Sequence, residues 1–244
     1  MLKAKKIHFI GIGGIGMSAL AVILAKNGYC VSGSDSNESK TVDHLRANDI
    51  QIHLGQKKEH IASDLDLVVI SLAIAENNEE LIEARNKNIE ILTYPQALGM
   101  FLEKFQLISV CGTHGKSTST AMLTDVFVNA SLDPNIIIGT KIKTLNGANY
   151  RVGGSNYFLL ESCEYKEAFL NYKPFALLVT NIDPDHLDYY KTEENYIKAF
   201  EKYIENVREG GVLVVNSDDG NVRSVVKNYI LLDNLDELNN IKNS

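Results

Sequence analysis

Val110-Cys111-Gly112-Thr113-His114-Gly115-Lys116-Ser117-Thr118-Ser119-Thr120 is the stretch on which the reading of this chain turns. Just upstream, Gln106-Leu107-Ile108-Ser109-Val110 is a short apolar run that predicts a strand. Downstream, Thr118 to Ala130 predicts a helix. A strand, a glycine-bearing loop and a helix start form a cradle for phosphate, because loop N–H groups and the helix dipole both point at an anion. Lys116 adds a mobile positive charge, and Ser117 a hydroxyl able to meet Mg²⁺. The spacing departs from the ordinary P-loop, since Val110 stands five residues before Gly115 where glycine is usual. The plain alternative is a glycine-rich turn with no ligand. Gly-Lys-Ser-Thr at a strand-to-helix junction is hard to reach by accident, so the phosphate reading is preferred.

A second glycine loop lies near the start. Ile7-His8-Phe9-Ile10 predicts a buried strand, Gly11-Ile12-Gly13-Gly14-Ile15-Gly16 follows, and Met17 to Asn27 predicts a helix stopped by Gly28. Tyr29 to Ser32 predicts the next strand, with Asp35 just past its end. Gly11, Gly13 and Gly16 satisfy G-x-G-x-x-G, and an acid follows at nearly the distance of a dinucleotide-binding unit. The glycines let backbone approach a pyrophosphate, and Asp35 can accept from a ribose or base. This points to a pyrophosphate-bearing nucleotide and no further, with a ligand-free βα turn as the alternative.

The stretches between alternate in the same way. Helices are predicted over Thr41–Asn48, Asn78–Asn86 and from Pro95 to Lys104, and strands over Ile50–His53, Leu67–Ser71 and Ile89–Leu92. Such alternation predicts a parallel, doubly wound sheet. A boundary is placed at residues 101/102, with no Gly/Ser-rich linker and so a defined hinge. Beyond it, strands are predicted at Asn135–Gly139, Tyr157–Leu160, Phe175–Thr180 and Gly211–Val215. Thr144–Ser155 is read as a loop or hairpin, Glu193–Val207 as an amphipathic helix, and Tyr229–Ser244 as a frayed end.

Composition narrows the classes. A formal net charge of −7 lacks the basic footprint of a nucleic-acid binder. Three scattered cysteines argue against a disulfide framework or a zinc site and for a reducing compartment. No apolar run approaches the ~20 residues of a membrane span, and the first residues carry no signal-peptide pattern. The expectation is a cytoplasmic protein without membrane insertion. Oligomeric state is not legible.

Ligands gather at the carboxyl ends of strands in such sheets, so Gly112–Ser117, Glu161 and Asn181–His186 should converge. Ser117, Glu161 and His186 together could complete a Mg²⁺ shell. Histidine is unusual for so hard an ion and suits Mn²⁺ better. The alternative for His186 is a residue capping the next helix. Glu164 is read equally as a solvated carboxylate, a supporting residue or a direct participant. His114 could donate to a phosphate or substrate, while Asp183, Asp185 and Asp188 are turn and cap residues, and His8 and His53 structural ones.

Four segments together resemble the Mur ligase family. They are His8 to Ala21 around the first glycine loop, Gly112-Thr113-His114-Gly115-Lys116-Ser117, Glu161-Ser162-Cys163-Glu164-Tyr165, and Thr180-Asn181-Ile182-Asp183 with Asp185-His186-Leu187-Asp188. Their order and spacing match from about residue 5 to about 220. The resemblance implies a Rossmann-like UDP-sugar domain over 1–101 and a P-loop-type α/β ATP domain over 102–244. It implies that Gly11, Gly13, Gly14, Gly16, Asp35 and Ser71 bind UDP-N-acetylmuramate. It implies ATP on Gly112, Thr113, His114, Gly115, Lys116, Ser117 and Thr118, with Lys116 and His186 catalytic and Mg²⁺ on Ser117, Glu161 and His186. The reaction implied is ligation of L-alanine through an acyl phosphate, in peptidoglycan synthesis.

Family members are about twice as long and carry a third, amino-acid-binding domain, and the second domain here is read as incomplete. The expectation is nucleotide-sugar binding with little or no turnover by these residues alone. Rival readings are a peptide-recycling ligase on the same sugar, a non-catalytic UDP-sugar-binding module, and an NAD-dependent dehydrogenase. The Gly-Lys-Ser loop argues against the last. Lys116→Ala is expected to leave the fold intact, as a loop lysine buries little apolar surface.

Overall fold

β1 (Lys6–Ile10) is the middle of the first sheet, and its neighbours show how the chain winds. In this computed structural model, which describes residues 3–226, β1 pairs in parallel with β2 (Cys30–Asp35) on one side and β4 (Leu67–Ile70) on the other. β3 (Gln51–Leu54) and β5 (Glu90–Thr93) close the edges, for an order β3-β2-β1-β4-β5 with every pair parallel. The order reverses between β1 and β4, so a crevice opens between the loops that follow them. β2 runs three residues beyond its predicted end, which makes Asp35 its last residue.

Between strands lie α1 (Ile15–Lys26), α2 (Lys40–Arg46), α3 (Glu79–Asn86) and α4 (Tyr94–Leu102). Their starts follow local chemistry. Ser39 caps α2 by accepting from Val42 N at 3.2 Å, and Asn78 caps α3 by accepting from Leu81 N at 3.0 Å. Gln96 reaches back to Thr93 N at 2.9 Å to start α4, with Pro95 in its first turn. α1 is buried along Met17–Leu24 on every side. It can be apolar all round because it packs on β2 and also on β7 and β8 of the second sheet.

The second sheet holds β6 (Gln106–Cys111), β7 (Asn135–Ile142), β8 (Ala148–Arg151), β9 (Tyr157–Glu161), β10 (Ala176–Val179) and β11 (Val212–Val215), in the order β11-β10-β6-β9-β7-β8. All pairs are parallel except β7 with β8, which form the antiparallel hairpin left open in the sequence reading. Its helices are α5 (Lys116–Asn129), α6 (Leu187–Tyr190), α7 (Glu193–Glu205) and α8 (Gly220–Val225). α7 buries Tyr196, Phe200, Tyr203 and Ile204, one face at helical spacing. β6 sits between β9 and β10, so three strand ends meet at one edge. One apolar cluster joins both sheets, running from Ile7 and Leu20 through Phe101 and Phe105 to Phe158 and Tyr203. Tyr229–Ser244, read as a frayed end, lies outside the described residues. No helix among the described residues is long and apolar enough to cross a membrane.

Candidate nucleotide and metal site

The phosphate loop is clamped from the neighbouring strand end. Thr113 N donates to Asn181 O at 3.1 Å and His114 N to Asn181 Oδ1 at 2.9 Å. Thr180 Oγ1 and Asn181 Nδ2 donate to His114 O at 2.6 and 2.9 Å. The N–H groups of Thr113 and His114 are therefore taken. Helical bonding begins with Ser119 N to Gly115 O at 2.9 Å, so the N–H groups at the head of α5 precede the first helical bond and face the anion position. α5 starts at Lys116, two residues earlier than expected, because Gly115 caps it at φ 80. Lys116 and Ser117 thereby stand in the first turn.

Side chains then fall into two groups. In the first, Ser117 Oγ donates to Glu161 Oε1 at 2.8 Å, and Gly139 N donates to Glu161 Oε2 at 2.7 Å. In the second, Lys116 Nζ donates to Glu164 Oε1 at 3.0 Å, to Gly112 O at 2.6 Å and to Thr113 O at 3.0 Å. His186 Nε2 lies 3.8 Å from Glu164 Oε1. Glu164 is 2% exposed, which rules out the solvated alternative. The expected Ser117–Glu161–His186 set is thus divided: hydroxyl and carboxylate touch, while the imidazole approaches the other acid. His186 occupies the N-cap position of α6 but makes no capping bond through its side chain.

Among the described residues, no group of three or more His, Cys, Asp or Glu is disposed to hold a metal ion. The Ser117 hydroxyl and Glu161 carboxylate are nonetheless adjacent hard oxygen donors with lone pairs to spare, a pair that fits Mg²⁺. His114 is exposed, its Nε2 3.5 Å from Asp183 Oδ2. Asp183 also serves through its backbone: its N donates to Thr113 Oγ1 at 2.9 Å, and Thr113 Oγ1 donates to its O at 2.8 Å. Tyr196 OH is 2.8 Å from the same hydroxyl. Burial pushes the phenols of Tyr190 and Tyr196 well above the usual tyrosine range, so both remain protonated. Tyr190 OH donates to the Glu164 carbonyl. Sequence reading missed these two tyrosines, because each reads as an ordinary apolar position.

The first glycine loop is closed on its own strand. Gly13 N donates to Asp35 Oδ2 at 2.8 Å, and Gly11 N and Ile12 N donate to Ser34 O at 2.9 and 3.0 Å. A cleft of about 530 Å³ at the crevice is lined by Gly11, Gly14, Asp35 and Ser71, among others. Gly14, Gly16 and Ser71 line a smaller neighbour with Tyr94. Gly13 faces a third cleft, of about 390 Å³, whose far wall is the β7–β8 hairpin. All six expected sugar-site residues thus line adjoining spaces.

Behind this crevice lies a cluster that the sequence did not reveal. Glu80 is fully buried, accepting from Ser34 Oγ at 2.5 Å, with His60 Nδ1 2.7 Å from its Oε1 and His8 Nε2 3.8 Å from it. His53 stacks on His60 with centroids 4.4 Å apart. Burial first, then the His60 and His8 rings, hold the His53 pKa below the usual histidine value. His8, 1% exposed, has its Nδ1 2.9 Å from Ser32 Oγ.

Comparison with known proteins agrees with this architecture. Residues 6–106 match the Mur ligase family catalytic domain, and residues 110–231 match the Mur ligase middle domain. A UDP-N-acetylmuramate–L-alanine ligase of Clostridium botulinum is 45% identical over 226 residues, 92% of this chain and 49% of that protein. One from Clostridium tetani is 45% identical over 225 residues, again 49% of its length. The chain spans about half the length of the curated relatives it matches. Among solved structures, a UDP-N-acetylmuramate:L-alanyl-gamma-D-glutamyl-meso-diaminopimelate ligase from Neisseria meningitides superposes with a TM-score of 0.84 at 26% identity, covering 92% of this chain and 75% of that one. A UDP-N-acetylmuramate-alanine ligase from Thermotoga maritima gives 0.80 at 32%, covering 90% and 51%. With two family domains matched in order, and the glycine and phosphate loops each at the carboxyl end of an interior strand of its own sheet, the chain belongs to the Mur ligase family.

Proposed function

We propose that this chain carries the UDP-N-acetylmuramate and ATP sites of a ligase that joins L-alanine to the sugar's lactyl carboxylate in peptidoglycan synthesis. One observation carries the reading: Lys116 and Ser117 stand in the first turn of α5, with Ser117 bonded to Glu161, beside the carboxyl ends of β6, β9 and β10. A carboxylate oxygen attacks the γ-phosphorus, the bond to the β-phosphate oxygen breaks, and an acyl phosphate and ADP result. The amine nitrogen then attacks the acyl carbon, phosphate leaves, and the nitrogen gives up a proton. Such chemistry asks for positioning and neutralised charge more than covalent help. Lys116 and the open N–H groups of α5 bind phosphate oxygens. Mg²⁺, held by Ser117 and Glu161, supplies further neutralisation when bound. Gly11, Gly13, Gly14, Gly16, Asp35 and Ser71 hold the sugar nucleotide, whose pyrophosphate faces the loop before α1.

A second reading is favoured by the TM-score of 0.84 to the peptide-adding ligase, against 0.80 for the alanine enzyme. In it the incoming amine is that of a peptide. A coupled phosphate-release assay with UDP-N-acetylmuramate and ATP decides between them. From these residues alone, binding of the sugar nucleotide with little or no release is the expected result; any release that requires L-alanine supports the first reading, and release that requires the tripeptide the second. Turnover near that of a full-length ligase overturns the expectation, and failure to bind either UDP-N-acetylmuramate or MgATP sinks both readings.

A further inference from the structure

Lys116 is already satisfied without a nucleotide. An ammonium has three donors, and here they go to Gly112 O, Thr113 O and Glu164 Oε1. The two carbonyls belong to the loop and move with it. Glu164 alone comes from another element, the segment after β9. Its Oε2 lies 3.0 Å from the same nitrogen yet has no hydrogen-bond partner, so the carboxylate is buried and half-used. Its backbone is held from α6, where Tyr190 OH donates to its carbonyl. We propose that Glu164 is a positioning residue that holds Lys116 back from the phosphate cradle, and that nucleotide phosphates bind by displacing it from that ammonium. This rests on the phosphate-site reading above.

Two consequences set the test. Breaking the Lys116–Glu164 contact subtracts from nucleotide affinity, because carboxylate and phosphate compete for one cation. The carboxylate left behind then faces His186, whose Nε2 is 3.8 Å from its Oε1. A residue that instead helped hold nucleotide or metal would weaken binding when neutralised. The two roles predict opposite signs.

The experiment is calorimetric titration of the full chain with MgATP. Glu164→Gln keeps the shape and an acceptor but removes the charge, and its Kd is expected to fall about tenfold. Unchanged or weaker binding overturns the proposal. Simple repulsion between Glu164 and a polyanion would also tighten binding, and it acts whether or not Lys116 is present. In a Lys116→Met background Glu164→Gln should have no effect, since the acid acts through the lysine, and equal tightening there overturns the proposal. If Lys116→Met does not fold, the sign of the Glu164→Gln effect decides alone. Should Lys116→Met bind MgATP as well as the parent, the phosphate-site reading itself falls. Loss of binding in that variant without tightening by Glu164→Gln removes only the restraint, and no binding by parent or Glu164→Gln removes both.

Discussion

Lys116 and Glu164 make the sharpest departure from what a loop lysine suggests. A lysine in a glycine-rich loop reads as solvated, and its replacement as harmless to the fold. Here its side chain is 15% exposed against a carboxylate at 3%. Removing one partner of a buried ion pair leaves an uncompensated charge. Lys116→Ala is therefore expected to lower stability by about 3 kcal/mol at neutral pH, read from denaturant unfolding. Lys116→Ala combined with Glu164→Gln should recover most of the loss. A single variant as stable as the parent would mean that the pair contributes nothing. The signal was absent from local sequence because Glu164 lies 48 positions away and follows a different strand.

The strand–loop–helix unit was legible because each part has its own local cause: an apolar run, two glycines and a helix start. What sequence could not show is how the two glycines differ. Gly112 has φ 137, and a Cβ there would sit 2.0 Å from Thr180 Oγ1, whereas Gly115 has φ 80 and open space around it. Gly115→Ala should cost about 1 kcal/mol, the strain of left-handed backbone. Gly112→Ala should cost about 3 kcal/mol, since it must also push β10's following loop aside. Chemical denaturation of both variants checks the order, and equal losses would refute the close approach. The hairpin β7–β8 stayed ambiguous for a different reason. Thr144–Ser155 is polar and glycine-rich, and pairing partners such as Ile137 and Tyr150 are set by tertiary register, not by periodicity. The split of Ser117–Glu161 from Glu164–His186 was illegible likewise, because the two acids stand only three residues apart, one ending β9 and one just past it, and only their directions distinguish them.

The whole molecule holds two sheets around a shared interior. Sequence composition suggested two domains meeting at a hinge near residue 101/102. That point falls within the apolar cluster, where the Phe101 and Phe105 rings are 5.3 Å apart and Phe105 and Phe158 are also 5.3 Å apart. Gly99 lies against the second unit so closely that a Cβ would meet Asn171 O at 2.3 Å. Unfolding one sheet would strip apolar cover from the other. Scanning calorimetry should accordingly show one transition, with calorimetric and van't Hoff enthalpies in agreement. Two resolved transitions would mean that the sheets are held together only weakly.

The peptide unit joining Ile138 to Gly139 links the two loops. Its oxygen accepts from Asn149 Nδ2 at 3.3 Å, and the same amide nitrogen of Asn149 reaches Ile15 O, the first residue of α1, at 3.1 Å. Its N–H donates to Glu161, which in turn holds Ser117. One rigid plane thus has the helix behind the glycine loop at one end and the acid of the phosphate loop at the other. Hydrogen bonds in series polarise one another. A ligand that shifts either end works against the other, so the affinity at one loop is expected to change with occupancy of the other, by the same factor in both directions, which titration of each nucleotide with and without the other checks.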